Sequence, residues 1–219
     1  MEQARDRGGH NQNICLVAVT KTHPAAVIRN AVDAGIGHIG ENRVQEADRK
    51  FRELPAEPSP VKHLIGHLQS NKVNKALLLF DRIDSVDSVR LAEKISRKIQ
   101  EPDRRIPVLL EVNTSGELSK SGFAPEQTED MISILELPGL QVEGLMTIGP
   151  LTDNKRAIRS SFARLRSLLE EINRNRPSDY PELKTLSMGM SSDFELAIEE
   201  GSTMIRLGTA LFGPREPRI

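Results

Sequence analysis

The chain has 219 residues, 37% of them hydrophobic and 28% charged, with a formal net charge of -1. That is an ordinary soluble composition, long enough for a sizeable core, and its near balance of charge gives no reason to expect nucleic acid or another polyanion as a partner. No apolar run approaches the ~20 residues that cross a bilayer, and the opening MEQARDRGGHNQN lacks the apolar core of a secretory signal, so a cytoplasmic protein without membrane contact is expected.

Residues 1–13 are polar and carry no helical stripe, which predicts a flexible N-terminal tail ahead of one domain over 14–219. The first strand is ICLVAV at 14–19, where the lone cysteine, Cys15, has no disulfide partner and reads as a small core side chain. Pro24 opens a helix that sets Val27, Ile28, Ala31 and Ala34 on one face and stops at Gly35. HIG at 38–40 is a brief second strand, followed by a helix with Val44, Ala47 and Phe51 in register. After the break LPAEPSP come a third strand, KHLIG, a helix SNKVNKALLLF capped by Ser70, and a short fourth strand, RIDSV. Asp87 is the cap expected for the next helix, whose Val89, Ala92, Ile95 and Ile99 share a face. IPVLLEVN at 106–113 is continuous in apolar residues, as a strand buried on both faces is. A helix from Pro125 through Leu135, the strand LQVEGLMTI and a long helix with Ile158, Phe162, Leu165, Leu169 and Ile172 on one stripe follow. LKTLSMG is the seventh strand and TMIRLG the eighth. Between them SSDFELAIEEG reads as a short helix, with Ser192 and Glu195 in capping-box spacing and Gly201 as terminator.

Eight strands alternating with seven helices, with nothing left for a second domain, predict the α/β class and a single (β/α)8 TIM barrel. A doubly wound open sheet would leave some of these runs unexplained.

Barrels of this kind carry their sites at the C-terminal ends of the strands, with anions favoured at the loops after strands seven and eight. Those loops read SMGMSSD and LGTALFG. Amides from Met188 to Ser191 can converge on an anion at the start of the following helix, Gly189 allows close approach, and Gly208 and Thr209 offer another amide and a hydroxyl. Plain capping and turn roles suit the same residues equally. Lys21, just past the first strand, shares parity with Cys15, Val17 and Val19, so its amine can aim into the mouth; the alternative is a first solvated residue after a buried strand. A desolvated lysine near another cation, here Arg206, becomes partly neutral and can attack an aldehyde to form an imine. Amine, anion cradle and arginine suit pyridoxal 5'-phosphate (PLP), and a cofactor-free barrel aldolase acting on a phosphorylated sugar would use the same parts.

The blocks LVAVTKTHP, IGENRVQE, HLIGHLQSNK, VNTSGELSKSGF, GLMTIG and LSMGMSSDFELAIEEGSTMIRLGTALFG occur in an order and spacing that resembles the pyridoxal phosphate homeostasis protein family, related to the barrel domain of alanine racemase. The resemblance spans residues 14–213 and implies a PLP-binding barrel like that of fold type III. It implies a covalent imine (Schiff base) to Lys21 and phosphate contacts from Ser187, Met188, Gly189, Met190 and Ser191 and from Gly208 and Thr209. Arg206 would face the pyridine nitrogen and Asn42 would line the pocket. The implied role is intracellular PLP homeostasis, by storage, buffering or transfer, in a monomer whose partners are the cofactor and PLP-dependent apoenzymes. The alternative is a weak amino-acid racemase. A guanidinium can only donate to the ring nitrogen and makes the ring a weaker electron sink, which argues against transamination or decarboxylation but leaves racemisation possible; a two-base racemase needs a second acid-base group. The chain's single tyrosine, Tyr180, which would have to act as a second acid-base group, precedes the seventh strand at the far end of the barrel.

The sequence departs from the family pattern at His23, where many relatives have a second lysine, and at Lys62, where a tryptophan is common; the amphipathic N-terminal helix usual in relatives is also not evident. Lys120, in ELSKSG at the mouth, would accept the aldehyde during release or is a solvated loop lysine. His63 and His67 lie four apart in HLIGH, but Gly66 between them, the strand end and the want of a third ligand argue against a zinc site.

Overall fold

In the computed structural model, which describes residues 1–55, 57, 59–117 and 119–214, the strands close into a parallel barrel in strict chain order. After α1 (Glu2–Gly8) the units are β1 (Cys15–Val19), α2 (Ala25–Asp33), β2 (His38–Glu41), α3 (Val44–Phe51), β3 (Val61–Leu64), α4 (Val73–Leu79), β4 (Arg82–Val86) and α5 (Val89–Ser96). The second half runs β5 (Ile106–Glu111), α6 (Thr128–Ser133), β6 (Leu140–Met146), α7 (Lys155–Asn175), β7 (Thr185–Ser187), α8 (Phe194–Glu199), β8 (Met204–Leu207) and α9 (Thr209–Phe212). The fold is the (β/α)8 barrel that the alternation of strands and helices calls for. Residues 215–219 of the expected domain, and parts of the LPAEPSP break and the ELSKSG loop, lie outside the described residues.

Two layers of core follow from strand parity. Side chains facing outward, such as Ile83, Val108, Leu110 and Leu186, pack with the helices in one large cluster that includes Phe162, Leu165 and Ile172 of α7. Side chains facing inward form a small apolar plug of Val17, Leu109, Met146 and Met204, with Cys15 against it. Below that plug the interior is polar. His63 Nδ1 meets Asp84 Oδ2 at 2.6 Å, Arg82 donates through Nε to Asp84 Oδ1 at 2.7 Å and through Nη1 to Glu143 Oε2 at 2.8 Å, and His38 Nδ1 lies 3.0 Å from His63 Nε2. Burial alone would raise the Asp84 carboxyl, but His63 and Arg82 outweigh it and hold it below its ordinary value.

Several local expectations are corrected. Residues 1–13 are not a loose tail: α1 lays Ala4 against Ile198, Ile205 and Leu207. Gly8 lies so close to α8 that a Cβ there would stand 2.7 Å from Glu199 Cα. Arg7 adds bonds to Glu199 and Glu195, and Gln12 donates to the carbonyls of Ile198 and Ser202. One buried alanine is too faint a stripe to register in the sequence, and the helix is held by tertiary contacts. The cap of α5 is Ser88, whose hydroxyl accepts the Leu91 N–H, because Asp87 is turned to His67. Ser70 begins a 3-10 turn ahead of α4 and makes no side-chain cap bond. The helix expected from Pro125 through Leu135 is α6 followed by a 3-10 turn over Ile134–Glu136. α8 is preceded by Asp193, not by a capping box at Ser192.

Candidate functional site

At the C-terminal ends of the strands the barrel opens into a cavity of about 260 Å³. Typical clefts for drug-sized ligands run from ~300 to 1,000 Å³, so this one suits a single-ring ligand. Lys21, Asn42, Met190, Ser191, Arg206, Gly208 and Thr209 all line it. Ser187, Met188 and Gly189 do not. Sequence reasoning missed Val19, His23, Ile65, Ile148 and Ser192, which complete the wall. Most sit within two residues of a strand's C-terminal end, so strand position alone would have found them.

Register puts Arg206 inside. It pairs with Val17 across β8 and β1, and paired residues on parallel strands face the same side, here the interior. Its Nη1 donates to the carbonyl and hydroxyl of Ser187 at 2.9 and 2.7 Å, and its Nη2 to the Thr147 carbonyl at 2.8 Å. Nε and one N–H of Nη2 have no acceptor among the described residues and remain for the cavity that Arg206 lines. Burial pushes the guanidinium below its ordinary value, against the opposing pull of Asp84, Glu111 and Asp193. Ser187 therefore orients the arginine from beneath; its hydroxyl is not on the rim.

The loop after β7 spends its amides differently from the expectation. Met188 is fully buried and donates its N–H to the Met204 carbonyl, still in the sheet, and Met190 donates to Asp193 Oδ1 at 2.6 Å. Neither amide is available to an anion. Gly189, at φ +97, is needed for the packing of α8: a Cβ would stand 2.6 Å from that of Ala197. The amides of Ser191, Ser192 and Thr209 make no hydrogen bond among the described residues. The Ser191 hydroxyl ties the two loops together by accepting the Gly208 N–H at 3.3 Å and the Ala210 N–H at 3.1 Å. Since both contacts use its oxygen, the hydroxyl proton is left to donate into the cavity.

A neighbouring depression, also about 260 Å³, shares Asn42, Ile65 and Ile148 with the first and adds Glu111, His67 and Lys120. Glu111 ends β5 almost fully buried. Burial, then the charge of Asp87, raise its carboxyl to about 7, while Arg206 and His67 pull it down. Lys120 donates to Glu117 and to the Gly149 carbonyl. His63 and His67 stand apart, one inside the barrel on Asp84 and the other on the loop after β3 with Asp87.

The model of the alanine racemase N-terminal domain family matches residues 1–216. The pyridoxal phosphate homeostasis protein of Pseudomonas aeruginosa is 43% identical over 216 residues, 98% of this chain and 90% of that protein. PipY of Synechococcus elongatus PCC7942, solved with PLP bound, is 41% identical with a TM-score of 0.85, over 96% of this chain and all of that one. Alanine racemase of Clostridium difficile, at 14% identity and a TM-score of 0.77 over 99% of this chain and 58% of that one, shares the fold.

Proposed function

The chain belongs to the pyridoxal phosphate homeostasis protein family, built on the alanine racemase N-terminal domain, and on that premise we propose that it binds PLP to store, buffer or hand over the cofactor, with little or no turnover. The observation that carries the reading is one cavity lined by an amine, a guanidinium and two hydroxyl-bearing loops: Lys21, Arg206, Ser191 and Thr209. The cofactor brings an aldehyde that condenses with a primary amine and a phosphate that needs N–H and O–H donors. Lys21 supplies the amine and holds the cofactor as a Schiff base. The Ser191 hydroxyl and the amides of Ser191, Ser192 and Thr209 hold the phosphate, and Asn42 flanks the ring. Arg206 donates one of its uncommitted N–H bonds to the pyridine nitrogen. Having no acceptor, it disfavours protonation there and leaves the ring a weak electron sink.

Holding without transformation is further supported by Tyr180. Its hydroxyl accepts the Val142 N–H at 2.7 Å, near the start of β6, and so is committed at the end of the barrel away from the cavity. The proposed setting is the cytoplasm, with the chain acting as a monomer and exchanging its cofactor with PLP-dependent apoenzymes. Among the described residues no helix is long and apolar enough to cross a membrane.

Borohydride reduction of the PLP-loaded protein followed by mass spectrometry tests the site: the adduct is expected on Lys21, and an adduct confined to any other lysine defeats the assignment. Chiral analysis after incubation with alanine or serine tests the role. No interconversion is expected, and racemisation that depends on Lys21 would replace the carrier with a racemase.

A further inference from the structure

We propose that Lys50, acting with Glu41 and Glu46, is a positioning residue for Lys21: it fixes the backbone on both sides of that lysine and thereby sets where its amine stands in the cavity. The inference rests on the reading of Lys21 as the point of cofactor attachment.

Lys50 projects from α3 into the protein and is only 7% exposed, a rare setting for a lysine. Its ammonium donates to two acceptors, the Thr20 carbonyl at 2.8 Å and Glu41 Oε1 at 2.8 Å, and forms an ion pair with Glu46 Oε1 at 2.7 Å. Those groups converge on the two neighbours of Lys21. Thr20, immediately before it, is fully buried and also donates its hydroxyl to Glu41 Oε1 at 2.6 Å. Thr22, immediately after it, donates its backbone N–H to Glu46 Oε1 at 2.5 Å. Thr22 has φ +68, a left-handed conformation that a β-branched residue adopts only when its surroundings impose it. One ammonium and two carboxylates thus hold the carbonyl and hydroxyl ahead of Lys21 and the amide behind it.

A purely structural role explains this less well. Val44 and Ala47 already seat α3 in the apolar core, and buried ion pairs add little net stability over apolar packing. Glu41 Oε2 is also left buried with no partner among the described residues, a cost that an arrangement chosen for stability alone would avoid.

Amide hydrogen exchange at Thr22 in the cofactor-free chain reads the clamp directly, PLP titration reads its consequence, and thermal unfolding reads the fold. Lys50→Met and Glu46→Ala are expected to speed exchange at Thr22 and to weaken PLP binding about tenfold, the loss of roughly one charge-assisted hydrogen bond. Asp48→Ala, on the same helix but paired outward with Lys75 and Arg52, is expected to change neither. Glu46→Ala removes an acceptor and introduces a good helix former, so it decides the matter even where Lys50→Met does not fold. Exchange and PLP affinity both unchanged in folded Glu46→Ala overturn the proposal. Should the parent chain carry PLP on a residue other than Lys21, the cofactor reading fails, while Thr22 exchange still tells whether the clamp exists.

Discussion

Two arginines are buried inside the same barrel, and they are treated in opposite ways. Arg82, at the lower end, meets carboxylates directly, Asp84 at 2.7 Å and Glu143 at 2.8 Å. Although burial opposes its charge, those two groups raise its pKa. Arg206, at the mouth, donates to two carbonyls and a hydroxyl, and burial leaves its pKa lowered. The carboxyls mirror this. Asp84, bonded to His63 and Arg82, is held low, whereas Glu111, facing Arg206 without a bond to it, is raised to about 7. The lower end consumes its charges in mutual pairing, while at the mouth Arg206 meets no carboxylate at bonding distance among the described residues and burial raises the Glu111 carboxyl. That difference separates a polar region that braces the barrel from one able to receive a ligand.

Arg82→Met puts the contrast under the greatest load. Stranding Asp84 and Glu143 is expected to cost about 3–5 kcal/mol in urea unfolding, with PLP still captured by Lys21 in the folded fraction. A smaller cost than that of Arg206→Met would erase the distinction. Asp84→Asn is expected to lose somewhat less at neutral pH. Because the folded-state pKa of Asp84 is depressed, its contribution is present above the unfolded value and disappears as pH falls through the folded one, so parent and variant stabilities should converge in acid.

Glu111→Gln probes the mouth with the reverse sign. A carboxyl raised from 4.5 to about 7 favours the fold below the lower value and loses that contribution as pH climbs through the upper. The variant is expected to be more stable than the parent at pH 8 by about 1–3 kcal/mol and equal to it near pH 4, a pattern that thermal unfolding across pH would check. Arg206→Met is expected to cost only about 1–2 kcal/mol of stability, since it strands neutral acceptors, but to change the absorbance and affinity of bound PLP. Smallest is Ser191→Ala, at about 1 kcal/mol in PLP affinity by equilibrium titration, with the fold unchanged.

The barrel was legible because its signals are local: apolar strand runs, prolines at helix starts and glycines after helix ends. Lys21, Arg206, Ser191, Gly208 and Thr209 could be gathered from strand order alone, since closure makes β1 and β8 neighbours. What the sequence hid depends on competition between acceptors. Nothing in SMGMSSD tells that Met188 still bonds within the sheet, that Asp193 has taken the Met190 amide, or that Ser187 turns beneath Arg206. Glu111 is hidden because it closes a run of buried residues, and its raised carboxyl comes first from burial in the closed barrel and then from Asp87, against the pull of Arg206 and His67, all on other segments. Lys50 and Glu46 look like an ordinary helical pair until the Lys21 loop is set against them.

The docking of α1 has a practical side. The helix that follows the SMGMSSD loop is backed by Ala4 and Gly8 and bridged by Arg7 through Glu199, a carboxylate that Arg159 of α7 also grips. A truncation that starts the polypeptide at Ile14, or a bulky affinity tag fused close to Met1, would loosen that backing, and under the proposed role its first symptom would be a paler preparation that leaks vitamin on dialysis while retaining its melting cooperativity.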